Sequence, residues 1–137
     1  MRMLFVKLIY MQRLLMIDDD QDLLLVTQSV LKKKGYDISA FSNWEKASDA
    51  IKKTNPQLIM LDVFLKENDG LDICNKLKSS PFTRHIPILV ISGYPRIAET
   101  AIYEFGADEF IAKPFEIGEL EQKIQAILSR KKQSVKI

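Results

Sequence analysis

One cysteine, Cys74, is present in 137 residues, so no disulfide can form within the chain. That suits a reducing compartment, and a cytoplasmic location is expected. One histidine, His85, excludes zinc centres built from several imidazoles and any catalysis that needs two of them. No apolar run approaches the roughly 20 residues of a membrane-spanning helix, so no membrane partner is expected. Neither charge dominates. There are 20 Lys and Arg against 18 Asp and Glu, and a net charge of +2 gives no argument for direct contact with nucleic acid. Internal repeats and linkers are absent, and 47% hydrophobic content is enough for one real core, so a single domain is expected. Lys7 interrupts the apolar amino terminus and no small-residue cleavage site follows, which argues against a signal peptide. Residues 1–11 are read as an extension. Either it lies upstream of a natural start at Met11, or it lengthens the first strand or covers an edge.

What is present is organised around Leu58-Ile59-Met60-Leu61-Asp62, four apolar residues closed by a carboxylate. A short apolar run ending in the turn residues Glu67-Asn68-Asp69-Gly70 reads as a strand buried on both faces. Upstream, Arg13 to Ile17 is a second such run and ends in Asp18-Asp19-Asp20. An amphipathic pattern from Asp22 to Lys34 follows, with Leu23, Leu24, Val26, Thr27, Val30 and Leu31 sharing a face and Gly35 closing it. Tyr36 to Phe41 reads as a strand. Ser42 and Glu45 have capping-box spacing and open a helix to about Lys53. After the Asn55-Pro56 turn and the central strand, a helix runs from Gly70 to about Lys78, with Leu71, Ile73, Cys74 and Leu77 as its apolar positions. Pro87 to Ile91 is a strand ending at Ser92-Gly93. Arg96 to Phe105 is a short helix closed by Gly106, and Glu109 to Ala112 a short strand. A last helix spans Glu116 to about Arg130 with Leu120, Ile124, Ile127 and Leu128 inward. The basic tail 131–137 has no pattern of its own.

Five βα units in alternation imply an α/β fold, a doubly wound parallel sheet with helices on both faces. Ligands in such folds bind beyond the carboxyl ends of the strands. There the chain places Asp18 and Asp19, Asp62, Ser92 with Gly93, and Lys113. Carboxylates gathered in a small volume repel unless a cation sits among them. Asp18, Asp19 and Asp62 therefore suggest a magnesium-type oxygen site, whereas Asp20 and Asp22 are better explained as helix caps. Lys113, held extended by Pro114, is placed to pair with Asp62 and hold a phosphoryl oxygen. Ser92 could donate to the same oxygen or be a plain turn serine. Gly93 leaves space for a ligand or suits a tight turn, and Phe110 alone reads as core.

Ile-Asp-Asp-Asp at 17–20, Leu-Asp at 61–62 with Asp69-Gly70 downstream, Ile-Ser-Gly at 91–93 and Phe-Ile-Ala-Lys-Pro-Phe at 110–115 resemble, in order and spacing, a response-regulator receiver domain of two-component signalling. The resemblance covers 12–130. It implies a flavodoxin-like (βα)5 fold with strand order 2-1-3-4-5, an order that comes with the resemblance and not from the residues. It also implies roles. Asp62 would be the phosphoacceptor. Asp18, Asp19, Asp62 and the backbone carbonyl of Phe64 would hold Mg²⁺, with Mn²⁺ tolerated. Lys113, Ser92 and Gly93 would contact the phosphoryl group, and Phe110 would change rotamer with them. The implied partners are a sensor histidine kinase or histidine phosphotransfer protein, a downstream protein target, and a second copy docked through the fourth helix, fifth strand and fifth helix. The chain would be a switch with intrinsic hydrolysis of its aspartyl phosphate, not a dedicated enzyme. Two departures stand out: Lys66 replaces a proline common four residues after the acceptor, and Ser92 replaces a common threonine.

Other classes fit less well. A dehalogenase-type phosphatase needs an aspartate two residues after its nucleophile, where this chain has Phe64. A flavodoxin-like cofactor carrier needs a phosphate-cradling loop where three aspartates stand. A phosphorylation-independent pseudo-receiver and a phosphorelay intermediate remain as alternatives.

Overall fold

The computed structural model describes residues 11–66 and 68–135, with side chains described as far as 130. Five strands alternate with five helices: β1 (Arg13–Ile17), α1 (Gln21–Lys33), β2 (Asp37–Phe41), α2 (Trp44–Thr54), β3 (Leu58–Asp62), α3 (Gly70–Ser79), β4 (Ile88–Ser92), α4 (Pro95–Phe105), β5 (Glu109–Ala112) and α5 (Ile117–Val135). All strand pairs are parallel and the order is β2-β1-β3-β4-β5. The α/β, doubly wound expectation and the 2-1-3-4-5 order both hold.

Side chains alternate across a strand, so each apolar strand feeds two cores. Leu14, Met16, Leu58, Met60, Leu89 and Ile91 meet Leu24 and Leu31 of α1 and Leu120 and Ile124 of α5 on one face. Leu15, Ile17, Ile59, Leu61, Ile88 and Val90 meet Ala47, Ile51, Ile73, Cys74, Leu77 and Ala101 of α2, α3 and α4 on the other. β3 and β4 are buried throughout because both faces are covered. Each large side chain sealed this way stabilises the fold by about 1.5–3 kcal/mol.

The helix ends follow local chemistry, with some shifts from expectation. Asp20 caps α1 by accepting from the Leu23 N–H, as its side-chain type suggests. At the other end Gly35 (φ 99°) closes α1: its N–H reaches the Lys32 carbonyl and the Tyr36 N–H reaches that of Leu31. That is a Schellman closure, and it needs the left-handed backbone glycine tolerates. α2 opens one residue later than the capping-box reading. Asn43, not Ser42, is the cap, accepting from the Lys46 N–H, and asparagine is at least as good a cap as serine. Val26 is exposed, not core-facing. The buried line of α1 is Leu24, Thr27 and Leu31, and Val26 sits about 200° round the helix from Leu24. α5 continues past Arg130 to Val135 because no breaker interrupts its lysine-rich end. The rest of the expected tail, 136–137, and the extension at 1–10 lie outside the described residues. Among the described residues no helix is long and apolar enough to cross a membrane.

Candidate functional site

The sheet register builds the site. Ile17 pairs with Leu61, so Asp18 and Asp62 step off neighbouring strands side by side. Both are buried, at 0% and 6% exposure. Lys113 arrives from the adjoining end of β5, where its N–H is held by the Ser92 carbonyl at 2.9 Å. The Lys113–Pro114 peptide bond is cis. The Lys113 Nζ lies 2.8 Å from Asp18 Oδ2 and 3.4 Å from Asp62 Oδ2. The expected Lys113–Asp62 pair is therefore present, but Asp18 is the nearer partner.

Each carboxylate is held differently. Asp62 Oδ1 accepts from the Phe64 N–H at 3.0 Å. Asp18 Oδ1 accepts from the Asp20 N–H at 2.9 Å. Asp18 Oδ2 is buried, and the Lys113 ammonium 2.8 Å away is its partner, although not in line for a well-aligned hydrogen bond. Asp19 turns elsewhere: its Oδ2 accepts from the Lys66 N–H at 2.8 Å. A proline at 66 would have no N–H to give, so this tie belongs to chains with another residue there. The three aspartates consequently do not close up together. Asp18 and Asp62 converge on Lys113, Asp19 faces the loop after β3, and among the described residues no set of three ligand-type side chains forms a metal-holding group.

The electrostatics follow from burial. Loss of solvent pushes the Asp62 carboxyl up from 3.8 to about 6; the Phe64 N–H lowers it, Asp18 raises it and Lys113 lowers it again. Burial works against the Lys113 ammonium, but its contacts with Asp18 and Asp62 outweigh that and raise it above its ordinary value. At pH 7 Asp62 is thus an anion the site holds at a cost, with one cation between two carboxylates. The donor chemistry suits a hard divalent cation: carboxylate oxygens, one of them the buried Asp18 Oδ2 with no aligned donor.

Ser92 is buried, and its hydroxyl is committed to a turn, accepting from the Tyr94 N–H at 2.9 Å and donating to the Tyr94 carbonyl at 3.1 Å. It does not bond Asp62. Gly93 is exposed, and a Cβ there would meet nothing within 4 Å, so neither space nor backbone strain demands glycine. Phe110 is half-buried against the core under α2–α4, with Lys123 Nζ 5.7 Å from its ring centre.

Two features escaped the reading of the sequence. Gly70 packs directly on β3's extension. A Cβ there would fall 2.3 Å from Val63 Cα, and its N–H bonds the Val63 carbonyl at 3.2 Å. The turn pattern made Gly70 a punctuation mark, and only the fold makes it a close approach. Phe64 and Tyr94, from different loops, meet edge to face with centroids 4.9 Å apart at the mouth of the site. Each flanked the site in sequence, but nothing local announced the pair.

Residues 14–125 match the response regulator receiver domain family. Among characterised relatives, the alkaline phosphatase synthesis transcriptional regulatory protein PhoP of Bacillus subtilis is 31% identical over 87% of this chain and 49% of its own length. The DNA-binding dual master transcriptional regulator RpaA of Synechocystis is 31% identical over 88% of this chain and 50% of its own. The chain thus spans about half the length of these relatives. A two-component response regulator from Clostridium difficile superposes with a TM-score of 0.79 at 29% identity, covering 87% of this chain and 97% of that structure. The expectation of no nucleic-acid contact finds no support among relatives that include a DNA-binding regulator.

Proposed function

The chain belongs to the response regulator receiver domain family of two-component systems, and from that premise we propose that it is a phosphoacceptor switch with Asp62 as the acceptor. The observation that carries the reading is Asp62 itself: buried at the carboxyl end of the central strand, pushed up to about 6, and faced by Lys113. A carboxylate held above its ordinary range is a stronger nucleophile yet still ionised at pH 7. The donor is a phosphohistidine of a sensor kinase or phosphotransfer protein, or a small phosphodonor. An Asp62 oxygen forms the bond to phosphorus while the phosphorus–nitrogen bond breaks and its electron pair leaves on the imidazole. The Phe64 N–H keeps Oδ1 oriented, and Lys113 shifts its charge from Asp18 towards the incoming phosphoryl oxygens. Asp18, Asp19, Asp62 and the Phe64 carbonyl would hold Mg²⁺ or Mn²⁺, which supplies neutralising charge for the transferring group. Asp19 must release the Lys66 N–H, or share it, to take part.

For the readout, Ser92 exchanges the Tyr94 carbonyl for a phosphoryl oxygen, drawing its loop inward. Phe110 and the face of α4, β5 and α5 respond, and that face meets the downstream target or a second copy. The setting is the cytoplasm, and the aspartyl phosphate is lost by the site's own hydrolysis. One observation favours a second reading, a phosphorylation-independent binding module: Asp19 is tied to Lys66 and the three aspartates do not converge. Intact-mass spectrometry with acetyl phosphate or phosphoramidate separates the two. One phosphoryl group added only with Mg²⁺ or Mn²⁺, and lost in Asp62→Asn, supports the switch. Undiminished labelling of Asp62→Asn sinks the assignment, and no labelling of the wild type favours the module.

A further inference from the structure

In this parallel sheet every helix runs back against the strands, so helix carboxyl ends collect at the strands' amino ends. Those last turns carry Lys32 and Lys33 of α1, Lys52 and Lys53 of α2, and Lys76 and Lys78 of α3. The first turns, at the Asp62 end, carry Asp22, Glu45, Asp72 and Glu119. α1, α2 and α3 each complement their own dipole at both ends, whereas α4 has no acid in its first turn and no base in its last; the topology gathers the six lysines of α1, α2 and α3 at the end of the sheet opposite Asp62. The two ends are a strand length apart, about 16 Å for five residues.

At the basic end the connection from α3 to β4 stands out. It is locked by its own hydrogen bonds: Arg84 N–H to the Ser80 carbonyl, Ile86 N–H to the Thr83 carbonyl, and Thr83 Oγ1 to the Leu77 carbonyl at 2.6 Å. Lys78 Nζ adds bonds to the carbonyls of Arg84 and Ile86. This rigid ridge nevertheless presents Phe82 to solvent at 84% exposure, two residues from the exposed Arg84. A cleft of about 350 Å³ with Lys78, Arg84, His85, Asp108 and Arg130 in its wall lies on the α5 side. A slot of about 150 Å³ lies between α2 and α3, with Trp44, Ile51 and Leu77 beside Lys52 and Lys76.

We propose that this end docks an acidic protein segment that carries an apolar side chain. Phe82 and the slot take the apolar group, while Arg84, Arg130 and Lys52 take the carboxylates. Aromatic and arginine side chains on a pre-organised support are the usual anchors of such contacts. The arrangement is wrong for a nucleic-acid strand. The bases lie in two clefts divided by a ridge, not along a track. Acidic groups are interleaved with them (Asp108 on Lys78, Glu109 on Arg130), and a single aromatic offers no series of stacking platforms.

The test uses the full chain and two fluorescein-labelled peptides, one glutamate-rich with a central leucine, the other with that leucine replaced by glutamate. Anisotropy should show tighter binding of the leucine peptide, weakened about fivefold or more by Phe82→Ala and by Arg84→Glu. Phe82→Ala should also erase the preference for leucine, and amide shifts in NMR should centre on residues 78–87. Equal binding of the two peptides, indifference to both substitutions, or shifts centred on the Asp62 end would overturn the proposal. So would tighter binding of single-stranded DNA or anionic vesicles through Phe82 and Arg84. Both side chains are exposed, so the variants should melt like the wild type.

Discussion

Replacing Asp62 by asparagine should make the protein more stable at neutral pH, and the size follows from burial. Asp62 stands at 3.8 in the unfolded chain and is pushed up to about 6 in the fold. Its folded value is the higher one, so its contribution is fully present below about 3.8 and is lost as pH rises through about 6. At pH 8 the anion costs at most about 3 kcal/mol, from 1.36 kcal/mol per pH unit. The amide oxygen of the introduced asparagine could still accept the Phe64 N–H, and the Asp18–Lys113 contact at 2.8 Å is untouched. The gain should therefore keep most of that figure, about 2–3 kcal/mol, or a urea midpoint raised by roughly 1–2 M. Urea unfolding of both proteins in EDTA, from pH 3.5 to 8, gives the difference directly. It should be small below about 3.8, grow between there and about 6, and be nearly level above that. Mg²⁺ should narrow it, since a cation offsets the same charge. A difference that is flat with pH, or a variant less stable at pH 8, would show that ionised Asp62 is not held at a cost.

Gly70→Ala drives a Cβ into Val63 backbone and should cost about 2–3 kcal/mol in urea unfolding, whereas Gly93→Ala, with open space around it, should change stability by under about 0.5 kcal/mol; equal effects would refute the close approach. Thr27 is fully buried with no partner for its hydroxyl, so Thr27→Val should stabilise by about 1 kcal/mol, and a loss in thermal melting would mean the hydroxyl is satisfied. Burial pushes the Cys74 thiol up to about 11, with Lys78 opposing and Asp108 adding, so at pH 8 it should react with Ellman's reagent only after unfolding; rapid reaction of the native protein would contradict this. Phe64 and Tyr94 meet edge to face over the site and should hinder water, so acid-quenched decay of the phosphoprotein should be faster in Phe64→Asn; slower decay would refute shielding.

Much of this molecule was determined by local sequence. Apolar runs such as Leu58 to Leu61 are buried on both faces in any parallel sheet, and alternation with amphipathic helices leaves few other architectures. Gly35 and Gly106 marked helix ends because left-handed backbone, at φ 99° and 82°, favours glycine. Asp18, Asp62 and Lys113 could be placed together because strand ends in such a fold share one edge. Only the tertiary structure decided what each group does there. Lys113 sits nearer Asp18 than Asp62, at 2.8 against 3.4 Å, a matter of side-chain placement that no sequence pattern carries. Asp19 is drawn to Lys66 by a backbone N–H 47 residues away, a donor every non-proline residue carries and no side-chain pattern reveals. Ser92 chose its own turn over the carboxylate, and Asn43 displaced Ser42 as a cap, because competing partners of similar strength are settled by geometry. Phe64 against Tyr94 is a contact between two loops, which meet only after the sheet that carries them has formed, while Gly70 against Val63 closes the β3–α3 connection on itself in a turn whose tightness no residue pattern announces.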